Sequence, residues 1–181
     1  MILVGIAFFW ACGSPAQEGD AGENDTLSKQ KELELLLEWD REVQTNPEAV
    51  TDVRALEIAE RFRLFAQNNP DDEQTVPLMF KAAELFISQP GKALYGIELF
   101  ARIHKDYPTH PLAPNAYFMM AMTFDAILQD SDRALMLYEG FLQQYPNHEL
   151  AAEVQNLIAL KKSPDGELEQ VREWMKQTEN K

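Results

Sequence analysis

One cysteine, Cys12, stands in 181 residues. That excludes an intramolecular disulfide framework and any zinc site built on a cysteine cluster. Bases are scarce as well: 16 Lys and Arg face 30 Asp and Glu, a formal charge of −14. A surface of this sign repels phosphate, so nucleic acid and anionic lipid are poor electrostatic partners. Strand signals are missing, since no stretch alternates apolar and polar residues over six positions with β-branched enrichment. The amino-terminal apolar run Met1–Ala11 falls well short of the ~20 residues that a bilayer-spanning helix takes. Motifs that carry chemistry are thin too. His104, His110 and His148 form no His-x-x-x-His pair, and there is neither a Gly-rich phosphate loop nor a Gly-x-Ser-x-Gly turn. Acid pairs such as Glu167 and Glu169 follow from composition alone. The cluster Met119, Met120 and Met122 reads as core rather than a soft-metal site, with part of it able to face a partner. The expectation is a non-catalytic chain with no cofactor, no metal and no small-molecule substrate.

What is present divides the chain. A hydrophobic fraction of 45% is too high for disorder, and the length suits one domain with a sizeable core. Residues 1–17 carry no charged side chain, whereas from Glu18 to Asp52 eleven acids stand against Lys29, Lys31 and Arg41. Met1–Ala11 is apolar, and Cys12 follows the small Ala11. The next stretch, GSPAQEGDAGEND, has three Gly, one Pro and no large apolar residue, the composition of a flexible tether. A buried first helix with an inert thiol is the competing reading, but a solvated linker directly behind it makes a poor start to a core. The Ala11-Cys12 junction resembles a bacterial lipoprotein signal, although Phe9 and Trp10 depart from its usual pattern and the basic leader is absent, which points to a start further upstream. The resemblance implies cleavage before Cys12 and a lipid on its thiol. Gly13, not Asp, follows the cysteine, which implies the periplasmic face of the outer membrane. The expected division is 1–11 signal-like, 12–25 attachment and tether, and 26–181 folded.

The folded part repeats. Pro70, Pro108 and Pro146 recur every 38 residues, and the slots before them align. Phe62, Phe100 and Tyr138 stand eight residues before, Phe65, Ile103 and Phe141 five before, and Ile58, Gly96 and Ala134 twelve before. Within a unit the spacing is helical: Tyr117, Met120, Ala121 and Phe124 sit at i, i+3, i+4 and i+7, and Ala134, Leu137, Tyr138 and Phe141 repeat it. Asp130 or Ser131 can cap the helix between them, and Asn147 the one after Pro146. His110 and His148 occupy equivalent link positions, so a turn or capping role suits them better than ligation.

This pattern resembles the tetratricopeptide repeat. Tyr117, Met120, Ala121, Phe124, Ala134, Tyr138 and Pro146 fill its slots, and Met79, Ala82, Ala83, Phe86, Gly96, Phe100 and Pro108 fill them one unit earlier. The usual period is about 34; here one residue is added in the turn within a pair and three in the link after the proline. The Tyr-Pro-x-His link is similar to that of tetratricopeptide lipoproteins of bacterial barrel assembly and of Tol-Pal-associated periplasmic proteins. The resemblance implies an all-α, right-handed α-solenoid of about four antiparallel helix pairs: Leu27–Val43 with Pro47–Gln67, Asp72–Gln89 with Gly91–Asp106, Pro111–Gln129 with Asp132–Gln144, and Glu149–Lys161 with Pro164–Gln177. Asn46-Pro47 is the expected start of the second helix, and the Leu35-Leu36-Leu37 run with Trp39 is expected to bury. The family's first helices line a partner groove. Carried over by alignment, that groove is Phe80, Glu84, Ile87, Asn115, Phe118, Met122, Asp125 and Asn156, with Glu153 and Leu160. The implied function is a lipid-anchored scaffold for other envelope proteins; the alternatives are a soluble periplasmic adaptor and an accessory, substrate-binding lipoprotein.

Overall fold

The computed structural model describes residues 20–163. Cys12 and the expected last helix Pro164–Gln177 lie outside them. Among the described residues there are seven α-helices and no strand: α1 (Asp20–Thr45), α2 (Asp52–Asn68), α3 (Thr75–Ser88), α4 (Ala93–Asp106), α5 (Ala113–Met122), α6 (Ser131–Gln144) and α7 (Ala151–Lys162). The chain divides into the units Met1–Leu35 and Leu36–Lys181, with the boundary inside α1. From α2 onward each helix packs on the next, which makes the second unit a solenoid of helix pairs.

The core is the set of slots that recur in the sequence. Phe62, Phe100 and Tyr138 are fully buried, as are Phe65, Ile103 and Phe141. Each such side chain contributes roughly 1.5–3 kcal/mol by leaving water. In α4 the third slot is a glycine because the backbones nearly touch there. At Gly96 a Cβ would come within 2.5 Å of Ile87 Cγ1 and 2.6 Å of the Ala83 carbonyl oxygen. Ala83, Ala121 and Ala134 are fully buried for the same reason. In α6, Gly140 leaves room for the Tyr117 hydroxyl, which a Cβ would displace.

The links also repeat. Asp72 Oδ1 accepts from the Gln74 amide (2.9 Å), His110 Nδ1 from Leu112 (3.1 Å) and His148 Nδ1 from Leu150 (3.3 Å), all at equivalent positions. The side chain two residues ahead thus satisfies an amide left free at each first-helix start. This is the capping role expected for the two histidines. Asn147 does not share it, because Leu150 occupies the cap position of α7. Asn46 makes no side-chain cap either. Pro47–Ala49 forms a single 3₁₀ turn, and α2 starts later, where the Thr51 hydroxyl accepts from the Arg54 amide at 3.3 Å. Asp130 caps α6 by accepting from the Arg133 amide at 3.0 Å.

The extra residue within the third pair has a definite place. α5 runs into a π turn, Thr123–Ile127, with Leu128 donating back to the Thr123 carbonyl at 3.0 Å. A π turn is a one-residue insertion in a helix. Phe124, within this turn, is half-buried under the Arg133 guanidinium at 5.3 Å, whereas its equivalent Phe86 is buried. The chain then reverses through a left-handed residue in both central pairs: Gly91 (φ 73°) and its equivalent Gln129 (φ 53°).

α1 is longer at both ends than the expected Leu27–Val43, and its first turn enters the stretch expected as tether. Its carboxy-terminal part joins the second unit through side chains rather than close backbone contact. Leu36 is fully buried, Arg54 lies 4.2 Å over the Trp39 ring and 3.1 Å from Glu42, and Asp40 meets Lys81 at 3.7 Å. Leu35 and Leu37 are exposed, since neighbours in a helix point about 100° apart and only one of three consecutive residues faces inward.

Two substitutions test this packing. Ala121→Leu should lower stability by about 1–3 kcal/mol through overpacking. Ala159→Leu, at the equivalent but exposed position of α7, should leave the urea midpoint unchanged; equal loss in both would refute the slot. Gln129→Gly removes the side chain from a left-handed residue and should raise the midpoint, by up to about 1 kcal/mol.

Candidate partner-binding face

The first helices α3, α5 and α7 start at Thr75, Ala113 and Ala151, in strict 38-residue register. Residues left accessible on them therefore form ladders across the stack. One ladder is Pro77, Asn115 and Glu153; the next is Lys81, Met119 and Leu157; the third is Glu84, Met122 and Leu160. All nine are exposed or half-buried. Neighbouring first helices are joined sideways by ion pairs: Asp40 to Lys81 between α1 and α3, and Asp125 to Lys161 between α5 and α7.

Asn115, Met122 and Glu84 of the expected groove lie on these ladders, with Glu153 and Leu160. Asn156 is exposed beside them on α7. The other four turn toward the protein. Phe80 meets Phe100 edge-on at 4.9 Å. Phe118 stands 6.3 Å from Tyr138 and 6.2 Å from Phe141. Both rings are half-buried, so they pack their own pair while keeping one edge accessible. Ile87 is wedged against Gly96. Asp125 is engaged internally, accepting from the Tyr138 hydroxyl at 3.2 Å and pairing with Lys161. Lys81, Met119 and Leu157 are accessible positions absent from the expected set. Extending the 38-residue register from Asn115 and Met122 to their neighbours one turn away would have found them.

The electrostatics of the face are acidic. Glu84 is accessible, yet the surrounding protein removes enough water to raise its carboxyl above the ordinary range. Lys81 opposes that rise and Asp40 adds to it. The Tyr138 hydroxyl is pushed well up by burial first, then by the charge of Asp125, its hydrogen bond to that carboxylate and the charge of Glu153. It also lies 2.9 Å from Met122 Sδ. Tyr138 therefore stays neutral, and its one O–H proton is shared between Asp125 and Met122.

His104 is part of the core between pairs. Its ring meets Tyr117 edge-on at 4.5 Å, and Nδ1 lies 3.0 Å from the Tyr145 hydroxyl. Among the described residues no group of His, Cys, Asp and Glu could hold a metal, and no helix is long and apolar enough to cross a membrane. A 360 Å³ pocket opens at the turns after α3 and α5. Its walls are Ile87, Pro90, Leu94, Ile127 and Leu128, with Ser88 and Gln89 as its polar side chains. It brings together no convergent set of polar groups of the kind that orients a small ligand.

Residues 115–148 match the family model of the tetratricopeptide repeat. No curated protein matches the chain. The match covers the third pair. The shared turn geometry, in which His110 donates to the Tyr107 carbonyl, His148 to Tyr145 and Asp72 to Asn69 at 3.0–3.2 Å, extends the same unit to both sides. The all-helical architecture and the matched repeat together define a tetratricopeptide-like helical solenoid, a class that serves as a scaffold for protein–protein interaction.

His104 generates a pH prediction. Burial lowers its pKa from the ordinary value near 6.5. The unfolded chain then binds more protons than the folded one between the two values, so stability is full above about pH 6.5 and falls as the pH drops through the lowered folded value. Urea midpoints between pH 7.5 and 5 should fall more steeply for the native chain than for His104→Gln; parallel slopes would refute the assignment.

Proposed function

We propose that this chain is a non-catalytic scaffold, tethered by a lipid on Cys12 to the periplasmic face of the bacterial outer membrane, which presents its first-helix face to other envelope proteins. The observation that carries the scaffold reading is that face itself. Met119 and Met122 on α5 recur in register as Leu157 and Leu160 on α7, and all four stay accessible. Met side chains adapt to varied surfaces, which suits a binding site more than a catalytic one. The anchor rests on the sequence: an apolar run, Ala11 before Cys12, and a Gly-rich polar stretch before α1. The envelope assignment rests on that junction and on the Tyr-Pro-x-His links at Tyr107 and Tyr145, which resemble those of barrel-assembly and Tol-Pal-associated proteins.

One experiment covers both parts. In a bacterial host the native chain should be processed before Cys12 and partition into detergent, while Cys12→Ser should stay unprocessed or become soluble. Partner capture from solubilised envelopes should be lost in a Met119→Lys, Met122→Lys double variant that keeps its helical circular dichroism. Phe118→Ala tests the half-buried ring: as an anchor it weakens binding by about 2 kcal/mol or more, and as pure core it costs about 3–5 kcal/mol of stability instead. A mature soluble protein with an intact Met1 would refute the anchor, and unchanged capture by the double variant would refute the face.

A further inference from the structure

The charges on the first-helix face are arranged to select a partner. Its two bases are already used: Lys81 is 3.7 Å from Asp40, and Lys161 pairs with Asp125. Lys162 is turned to Glu139 of α6, at 2.6 Å. α5, at the centre of the face, has the sequence APNAYFMMAM and carries no charge. That leaves Glu84 on α3 and Glu153 on α7, both exposed; among the described residues neither carboxylate is in a direct ion pair, and the one cation whose charge acts on Glu84 is Lys81, itself paired with Asp40. Two unneutralised acids thus bracket an uncharged, Met-lined helix.

We propose that this face takes a cationic, apolar-centred segment of a partner protein, laid across α3, α5 and α7. Its apolar side chains rest on Met119, Met122 and Leu157, and a Lys or Arg on either side meets Glu84 and Glu153. This rests on the scaffold reading above and adds the chemistry of the partner. The crowding that raises the Glu84 carboxyl is relieved when a cation arrives beside it, so the acid gains more from a basic partner than a freely solvated one would. An acidic segment is opposed by the same two carboxylates, and the net charge of −14 slows its approach.

The test is selection of a random twelve-residue peptide library, displayed on phage, against the full chain, followed by fluorescence anisotropy of the enriched peptides. The expected winners carry Lys or Arg flanking two or three apolar residues. They should bind at least tenfold more weakly to Glu84→Gln, Glu153→Gln and to the native chain in high salt, and should not bind Met119→Lys, Met122→Lys. The glutamine variants are surface changes that leave the fold intact. Winners without bases, or basic winners indifferent to Glu84 and Glu153, overturn the proposal. If such winners still lose binding to the methionine double variant, the face is the binding site and only its charge selectivity is wrong. If basic winners bind that double variant as well as the native chain, the scaffold face itself is misassigned.

Discussion

Close helix contact at one small residue in each of the two central pairs is the constraint on which the rest of this structure depends. At Gly96 there is no room for a Cβ between α4 and the Ala83 carbonyl, and Ala134 holds the equivalent place in α6. Once two backbones approach that closely, the large side chains on either side have fixed positions. Phe62, Phe100 and Tyr138 fill the space left beside the contact, and Phe65, Ile103 and Phe141 fill the next turn. Helical propensity contributes little by itself. α5 contains a proline, an asparagine and a tyrosine, and its helix is held by burial of Ala113, Ala116, Tyr117, Met120 and Ala121.

The period of 38 follows from how the chain turns between these contacts. Each link spends its added residues on a fixed hydrogen-bonded turn that ends in a side-chain acceptor, Asp72, His110 or His148. An aspartate and two histidines fill the same place because each offers one acceptor atom two residues before the amide it satisfies. The tyrosines of the links add a second tie. Tyr107 donates to the Pro70 carbonyl at 3.0 Å, and Tyr145 reaches the His104 ring. Both reach back across a helix pair, so the links set the spacing between pairs as well as the path of the chain.

Much of the fold was legible because burial repeats with the sequence. The slots aligned on the three prolines, Ile58, Gly96 and Ala134, Phe62, Phe100 and Tyr138, and Phe65, Ile103 and Phe141, are all buried, whereas Phe124 is half-buried; α4 and α6 end where expected, at Asp106 and Gln144. Helix starts were less legible. Proline at Pro47 or Pro111 is compatible with a first turn, yet α2 and α5 begin later, where Thr51 and His110 supply the acceptors. The site was legible in part. Alignment marks Phe80 and Phe118 as recurrent but cannot tell a ring that packs its own pair from one that faces out, and the structure gives each some of both. Asp125 was misleading for a different reason. Its two partners, Tyr138 and Lys161, lie far along the chain, and no local pattern announces an ion pair of that kind.

The π turn joins fold to face. An unbroken α-helix through Thr123 would carry Phe124 onto the core side with Tyr117 and Ala121. Phe124 and Asp125 both lie within this turn, the ring beside Arg133 and the carboxylate against Tyr138 and Lys161. Two results follow from one local irregularity. The Asp125 carboxylate is neutralised against α7, and the Met122 sulfur is held 2.9 Å from a tyrosine hydroxyl that burial keeps protonated. The central helix therefore presents methionine rather than charge, and the remaining acids stand at its flanks. A face with its charge moved to the edges discriminates by what surrounds an apolar segment as well as by the segment itself, because a mismatched charge at the edge must be desolvated against Glu84 or Glu153 without compensation.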